Sequence, residues 1–158
     1  MSKKKPAFRK TISIEWGDCD PANIVYFPRY FEYFDGCTTA LFTHLGLAKP
    51  KLFEKYGIIG IPVVDVKARF IAPSRFSNEV VVQSEIIGWR RSSFSVRHQL
   101  FNRGALAVEC DETRVWTAMS ATKRGKMESR PIPPEVVRKF SANSTSARKD
   151  KSSPRTKA

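Results

Sequence analysis

The sequence predicts an α+β domain in which one long helix lies against a five-stranded antiparallel sheet. Three observations carry that expectation. FRKTISIEW at 8–16 alternates apolar and polar residues, which is the period of a half-buried strand. RYFEYFDGCTTALFTHL at 29–45 repeats large apolar residues at steps of three and four, the period of a helix with one buried stripe. After Pro62, four stretches rich in β-branched and aromatic residues follow one another with turn-like segments between them, the pattern of an antiparallel meander. A helix and a sheet so arranged bury their apolar faces against each other.

Each element has its own signals. In the first strand Phe8, Ile12, Ile14 and Trp16 share one phase. Pro28 can open the helix, because a helix's first turn leaves its N–H groups unpaired and proline loses nothing there. Phe27, Phe31, Phe34, Thr38, Leu41 and Leu45 form the expected stripe, and Gly46 the expected stop. Residues 51–56 can add a short helix before Gly57. The expected later strands are VVDVKARFI, EVVVQSEIIGW, SSFSVRHQLFN and ALAVECDETRVWTAMSA, parted by APSRFSN, an arginine pair and NRG. PIPPEVVRKF is expected to close the domain with a short helix. There is no internal repeat and no second domain.

Composition narrows the function classes. The chain has 158 residues and 41% apolar content, enough for one domain with a core. No apolar run approaches the roughly 20 residues of a membrane span, and MSKKKPAF lacks the apolar region of a secretory signal. Cys19, Cys37 and Cys110 are odd in number and scattered, so they suggest neither a disulfide framework nor a metal site. A reduced, cytoplasmic setting is expected. The net charge is +13, but residues 1–10 carry +5 and residues 141–158 carry +4, leaving +4 for residues 11–140. Residues 1–7 therefore read as a basic flexible N-terminus and 8–140 as the folded domain. The stretch 141–158, with no aromatic or large aliphatic residue, reads as a disordered basic tail. A dedicated single-strand binder would interleave aromatics with its basic residues, and the folded region does not, which argues against nucleic acid as the partner.

The chemistry-bearing stretch is GDCDPANIVYFPRYFEYFD at 17–35. Two carboxylates, Asp18 and Asp20, stand on the loop just before the long helix. A helix N-terminus offers free N–H groups and a partial positive charge, so an oxyanion forming there is stabilised. A carboxylate beside it can attack the same carbon or activate water against it. Asp18 reads as a turn or capping carboxylate, and Asp20, standing before Pro21, could by itself be no more than a turn former.

This stretch resembles the G-D-x-D signature of the 4-hydroxybenzoyl-CoA thioesterase family, with support from GIIGIPVV at 57–64 and GWRRSSFSVRHQ at 88–99. The resemblance runs from residue 8 to about 137. It implies a hot-dog fold, a five-stranded antiparallel sheet wrapped around one long helix, and hydrolysis of an aromatic acyl-CoA to the free acid and coenzyme A without metal or other cofactor. It implies Asp20 as nucleophile or general base and the Phe27 backbone N–H as the carbonyl-polarising donor, with the Phe27 ring in the core. Asp35 and Ile61 would meet the acyl group, with structural pairing the equal alternative for Asp35 among its apolar helix neighbours, and Arg90 and Arg91 would hold coenzyme A phosphates. The cleft would lie between subunits of a homo-oligomer, a tetramer built as a dimer of dimers.

Three positions depart from the family pattern. Asn23 replaces a glycine, and asparagine tolerates left-handed backbone. Ile61 stands where hydroxybenzoyl-specific members carry threonine, and Ser92 where a third basic residue is usual. Two rival readings follow: a thioesterase for short or medium aliphatic acyl-CoA, and a non-catalytic binder of acyl-CoA or nucleic acid acting through its basic tails. Cys19 has no nearby histidine and is a weak nucleophile candidate. His98, in phase with Phe94, Val96 and Leu100, reads as a core or interface histidine.

Overall fold

The computed structural model describes residues 8–146; the expected flexible N-terminus and the tail from 147 onward lie outside the described residues. The elements are β1 (Phe8–Ser13), α1 (Pro28–His44), α2 (Lys49–Tyr56), β2 (Val63–Phe70), β3 (Glu79–Trp89), β4 (Ser93–Asn102), β5 (Ala105–Val115), β6 (Thr117–Met119), β7 (Met127–Ser129) and α3 (Pro134–Ser146). The main sheet has five strands in the order β1-β3-β4-β5-β2, every neighbour antiparallel.

The expected meander holds for β3, β4 and β5 but not for β2. The edge of β3 that β2 would occupy is filled by β1, in register from Phe8↔Ser84 to Ser13↔Glu79. The chain therefore carries β2 to the far edge, beside β5. The last expected strand is two pieces. Trp116, 1% exposed, ends β5 with its N–H on the Ser92 carbonyl at 2.8 Å, and β6 pairs with β7 beyond it.

The buried stripe of α1 is Tyr30, Phe34, Cys37, Thr38, Leu41 and Phe42. It is rotated from the expected stripe, because both sets satisfy the same helical spacing and only the sheet decides between them. Phe27 is 55% exposed, so its ring is not core, and Trp16 leaves the strand phase to stand exposed in a 3-10 turn. Gly46 and Gly57 sit at φ 74° and 61° after their helices, the left-handed stops that glycine permits. The expected helix at 51–56 begins at Lys49, with Pro50 in its first turn.

Two apolar clusters fill the interior. Phe34, Cys37, Val80, Val82, Leu100 and Val108 join α1 to the sheet; Phe42, Leu52, Ile61, Phe94, Trp116 and Val136 pack under α2 and α3. The closing helix runs to Ser146, past Phe140, so residues 141–146 of the expected tail are helical. A helix already begun adds a hydrogen bond per residue without needing burial, as the Ser141 hydroxyl on the Val137 carbonyl illustrates. No helix among the described residues is long and apolar enough to cross a membrane.

Candidate active site

The loop between β1 and α1 is built around its two aspartates. Asp18 closes the 3-10 turn by accepting the Glu15 N–H at 3.1 Å, and its Oδ2 also accepts the Tyr33 hydroxyl at 2.7 Å. The Asp18 carbonyl takes the Tyr26 N–H at 2.8 Å. Asp18 thus ties the loop to the second turn of α1, a structural role. Burial, and then the bond to the carboxylate, hold the Tyr33 phenol protonated well above its ordinary range.

Asp20 starts a tight turn. Its N–H meets the Ile24 carbonyl at 2.9 Å, its carbonyl takes the Asn23 N–H at 2.9 Å, and its Oδ1 accepts the Ala22 N–H at 2.8 Å. Asn23 supplies the required left-handed residue at φ 58°. The second carboxylate oxygen, Oδ2, has no protein partner among the described residues. The turn is clamped from the β2–β3 connection: the Ser74 carbonyl accepts the Val25 N–H at 2.9 Å, and the Arg75 guanidinium reaches the Ala22 and Asn23 carbonyls at 3.4 Å.

At the helix start, one N–H remains available. Pro28 has none, Arg29 donates to the Tyr26 carbonyl at 2.9 Å and Tyr30 to the Phe27 carbonyl at 3.2 Å. The Phe27 N–H meets no backbone carbonyl among the described residues. It stands at the positive end of a 17-residue helix. Beside it opens an apolar cavity of about 330 Å³ lined by Ile24, Phe27, Tyr30, Phe70 and Ile71.

Asp35 and Ile61 belong elsewhere. They line a second cavity of about 400 Å³ with Lys49, Phe53 and Arg114. Asp35 lies eight residues beyond Phe27, about 12 Å along the helix at 1.5 Å per residue. The two cavities sit at opposite ends of β2, Phe70 bordering the first and Val63 the second. One chain therefore does not bring Asp20 and Phe27 together with Asp35 and Ile61. Arg90 and Arg91 are exposed at the β3–β4 turn, at the same end of the sheet as Val63.

Reading the sequence alone misses a polar chain behind the second cavity, exposed at Asp35 and buried from Arg114 inward. Asp35 Oδ1 is 3.0 Å from Arg114 Nη2, and Arg114 Nε donates to Glu112 Oε2 at 3.0 Å. Glu112 is 3.4 Å from His98 Nε2, and His98 Nδ1 is 2.8 Å from the Ser84 hydroxyl. Burial opposes ionisation of Glu112, but the bond to His98 and the charge of Arg114 outweigh it and lower its pKa. His98 is fully buried against Phe34, ring centroids 5.0 Å apart, the satisfied core histidine its strand phase suggests. The signal for the rest lay in β5, where Cys110, Glu112 and Arg114 share the inward phase; charged residues in core phase mark a buried network.

The cysteines take no part. Burial pushes Cys37 up to about 11 and Cys110 up to about 12, and the Cys19 thiol points to the Glu15 carbonyl at 3.7 Å. No group of side chains among the described residues could hold a metal ion.

Residues 14–140 match the model of the thioesterase-like superfamily. The chain belongs to that superfamily. It is a thioester hydrolase with the hot-dog fold that the signature implies. It is 34% identical over 110 residues to the 4-hydroxybenzoyl-CoA thioesterase of Pseudomonas sp. (strain CBS-3), covering 65% of this chain and 77% of the relative. An aspartate-to-asparagine mutant of 4-hydroxybenzoyl-CoA thioesterase, solved in complex with 4-hydroxybenzoyl-CoA, superposes with a TM-score of 0.78 at 26% identity, covering 85% of this chain and 99% of that one. A gentisyl-coenzyme A thioesterase superposes at 0.73 with 29% identity, covering 83% and 99%. This member of the superfamily therefore presents its loop carboxylate and helix N-terminus on a scaffold shared with aryl-CoA thioesterases.

Proposed function

We propose that the protein is an acyl-CoA thioesterase that hydrolyses an aromatic acyl-CoA of the 4-hydroxybenzoyl type, with Asp20 as nucleophile or general base. The observation that carries this reading is the Asp20 turn set against the start of α1, where the Phe27 N–H is the spare donor. The thioester oxygen takes that N–H, and the charge it gains on attack is stabilised by the donor and the helix end. Asp20 Oδ2 either bonds to the carbonyl carbon, expelling thiolate and leaving an anhydride for water to open, or takes the proton of a water that attacks in its place. Thiolate is a good leaving group, so one carboxylate suffices.

The complete site needs two copies. β2 is an edge strand with Val64 61%, Val66 44% and Phe70 48% exposed, a surface that invites pairing. Its eight residues span about 25 Å at roughly 3.3 Å each. Antiparallel pairing with the β2 of a second copy sets the Phe70 end of one chain beside the Val63 end of the other. The cavity at Phe27 then meets the second copy's cavity at Asp35 and Ile61, which become the two ends of one acyl slot. The second copy's Arg90 and Arg91 come to the same side, where they can contact coenzyme A phosphates. Such dimers would pair into the tetramer. A single catalytic domain over 8–140 and a cytoplasmic setting, in which its three free cysteines stay reduced, complete the reading.

The test is thiol release from 4-hydroxybenzoyl-CoA, benzoyl-CoA and a medium-chain aliphatic acyl-CoA, by the protein and by Asp20→Asn. Asparagine keeps an oxygen for the Ala22 N–H, so folding is preserved. Aryl turnover that falls a hundredfold or more in the variant, about 3 kcal/mol of barrier, supports the assignment. Turnover restricted to the aliphatic thioester moves the substrate to that class. A variant as active as the parent refutes the role of Asp20.

A further inference from the structure

The Asp35 cavity has a surplus of hydrogen-bond donors. Arg114 is 3% exposed, with its Nη1 at 3.4 Å from the Ile61 carbonyl in the cavity wall. Its Nη2 lies 3.0 Å from Asp35 and 2.9 Å from Glu112. Both are ion pairs, but neither approach has hydrogen-bond geometry, so this buried nitrogen makes no directed hydrogen bond among the described residues. Lys49, partly buried at the first position of α2, also lines the cavity and has no partner among the described residues. Burial pulls its ammonium below the ordinary lysine range, while Asp35 acts in the opposite sense. Thr117 is engaged, its hydroxyl donating to the Gly60 carbonyl at 2.9 Å. Of the acceptors, Asp35 Oδ1 already faces Arg114. Much of the remaining wall is apolar, from Ile59, Ile61, Pro62 and Val63.

We propose that Lys49 and Arg114 are specificity-determining residues that bind an acceptor oxygen at the far end of the acyl group. The inference rests on the reading of this cavity as the acyl end of the site. Buried donors without an acceptor are costly, and an occupant that brings an oxygen relieves that cost whereas a methyl group does not. The oxygen is a neutral one. Asp35, Glu112, Lys49 and Arg114 carry two charges of each sign, so a carboxylate would leave the cluster with an unmatched negative charge.

The experiment compares kcat/KM of the full chain for 4-hydroxybenzoyl-, 4-methoxybenzoyl- and 4-methylbenzoyl-CoA, with Lys49→Met and Lys49→Arg alongside. The methoxy oxygen can accept but not donate, and the methyl group does neither. Both oxygenated substrates should exceed the methyl one by about tenfold or more, the penalty for leaving buried polar groups unpaired. Lys49→Met should compress that ratio to about threefold or less while Lys49→Arg restores it, a ratio that a general loss of packing would not move. Unfolding of either variant is checked by its melting temperature, and Lys49 sits at a helix start, where methionine is tolerated. A methoxy substrate no better than the methyl one, or an unchanged ratio in Lys49→Met, overturns the inference. Aryl turnover without the ranking removes this inference alone. No aryl turnover at all removes the aryl reading and the inference together.

Discussion

Phe27→Pro isolates the helix N-terminus as a catalytic group. Phe27 has φ −53° and ψ −34°, and proline prefers φ near −65°, so the ring closes without a large backbone shift. The N–H it deletes serves no backbone carbonyl among the described residues, so no fold hydrogen bond is lost. The Phe27 side chain is about half exposed and touches Tyr26 and Phe70 at centroid distances of 5.6 and 6.3 Å. Losing it costs about 1 kcal/mol, half the value of a fully buried phenylalanine. A proline in a compatible site returns about 0.5 kcal/mol through the unfolded chain. The net loss of about 0.5 kcal/mol should therefore move the melting temperature by only about 1–2 °C. Activity should fall far more, because one oxyanion donor is worth about 3 kcal/mol, or a hundredfold or more in kcat. Phe27→Ala is the control: it loses the same ring but keeps the N–H. The assay is steady-state thiol release with both variants. If Phe27→Pro loses less than about fivefold in kcat, or if Phe27→Ala loses as much as proline, the helix-start donor is not the oxyanion site.

Three further outcomes follow from the same geometry. Glu112→Gln should lower stability by about 3 kcal/mol near pH 7, because it neutralises the buried one of the two carboxylates facing Arg114 and leaves only the exposed Asp35; thermal melts would show a fall of about 10 °C. Since the folded Glu112 pKa is depressed, its contribution is present above the ordinary glutamate value and lost as pH falls through the lowered one; the variant's melting temperature should lose that part of the acid dependence, and an unchanged acid profile would contradict the ionised assignment. Val66→Lys, at a 44% exposed position of the β2 edge, should shift light-scattering mass toward the monomer and abolish turnover together; an active monomer would refute the shared site. Arg90→Ala with Arg91→Ala should raise KM for coenzyme A thioesters about tenfold, as lost charge-assisted phosphate contacts do, and leave a phosphate-free thioester of the same acyl group unaffected; equal effects on both would place the phosphates elsewhere.

The local chemistry of this protein is legible in its sequence. Pro28, Gly46 and Gly57 punctuate the helices, because missing N–H groups and left-handed backbone are properties of single residues. Asn23 takes the glycine position of the Asp20 turn at φ 58° for the same reason. The loop carboxylates and the helix start lie within one continuous stretch, so Asp20 and Phe27 could be named together. Only the tertiary structure decided what depends on neighbours. Strand periodicity fixes which face a residue presents but not which strand lies beside it, so the crossing of β2 to the β5 edge was hidden, and with it the separation of Asp20 from Asp35 at opposite ends of that strand. Helical spacing admits more than one stripe, so the exposure of Phe27 and the burial of Tyr30 waited on the sheet. Glu112 became the partner of His98 only through the β4–β5 pairing, and Arg114 the partner of Asp35 only when α1 was laid against the sheet, since a buried charge acquires its partner from packing that no single segment contains.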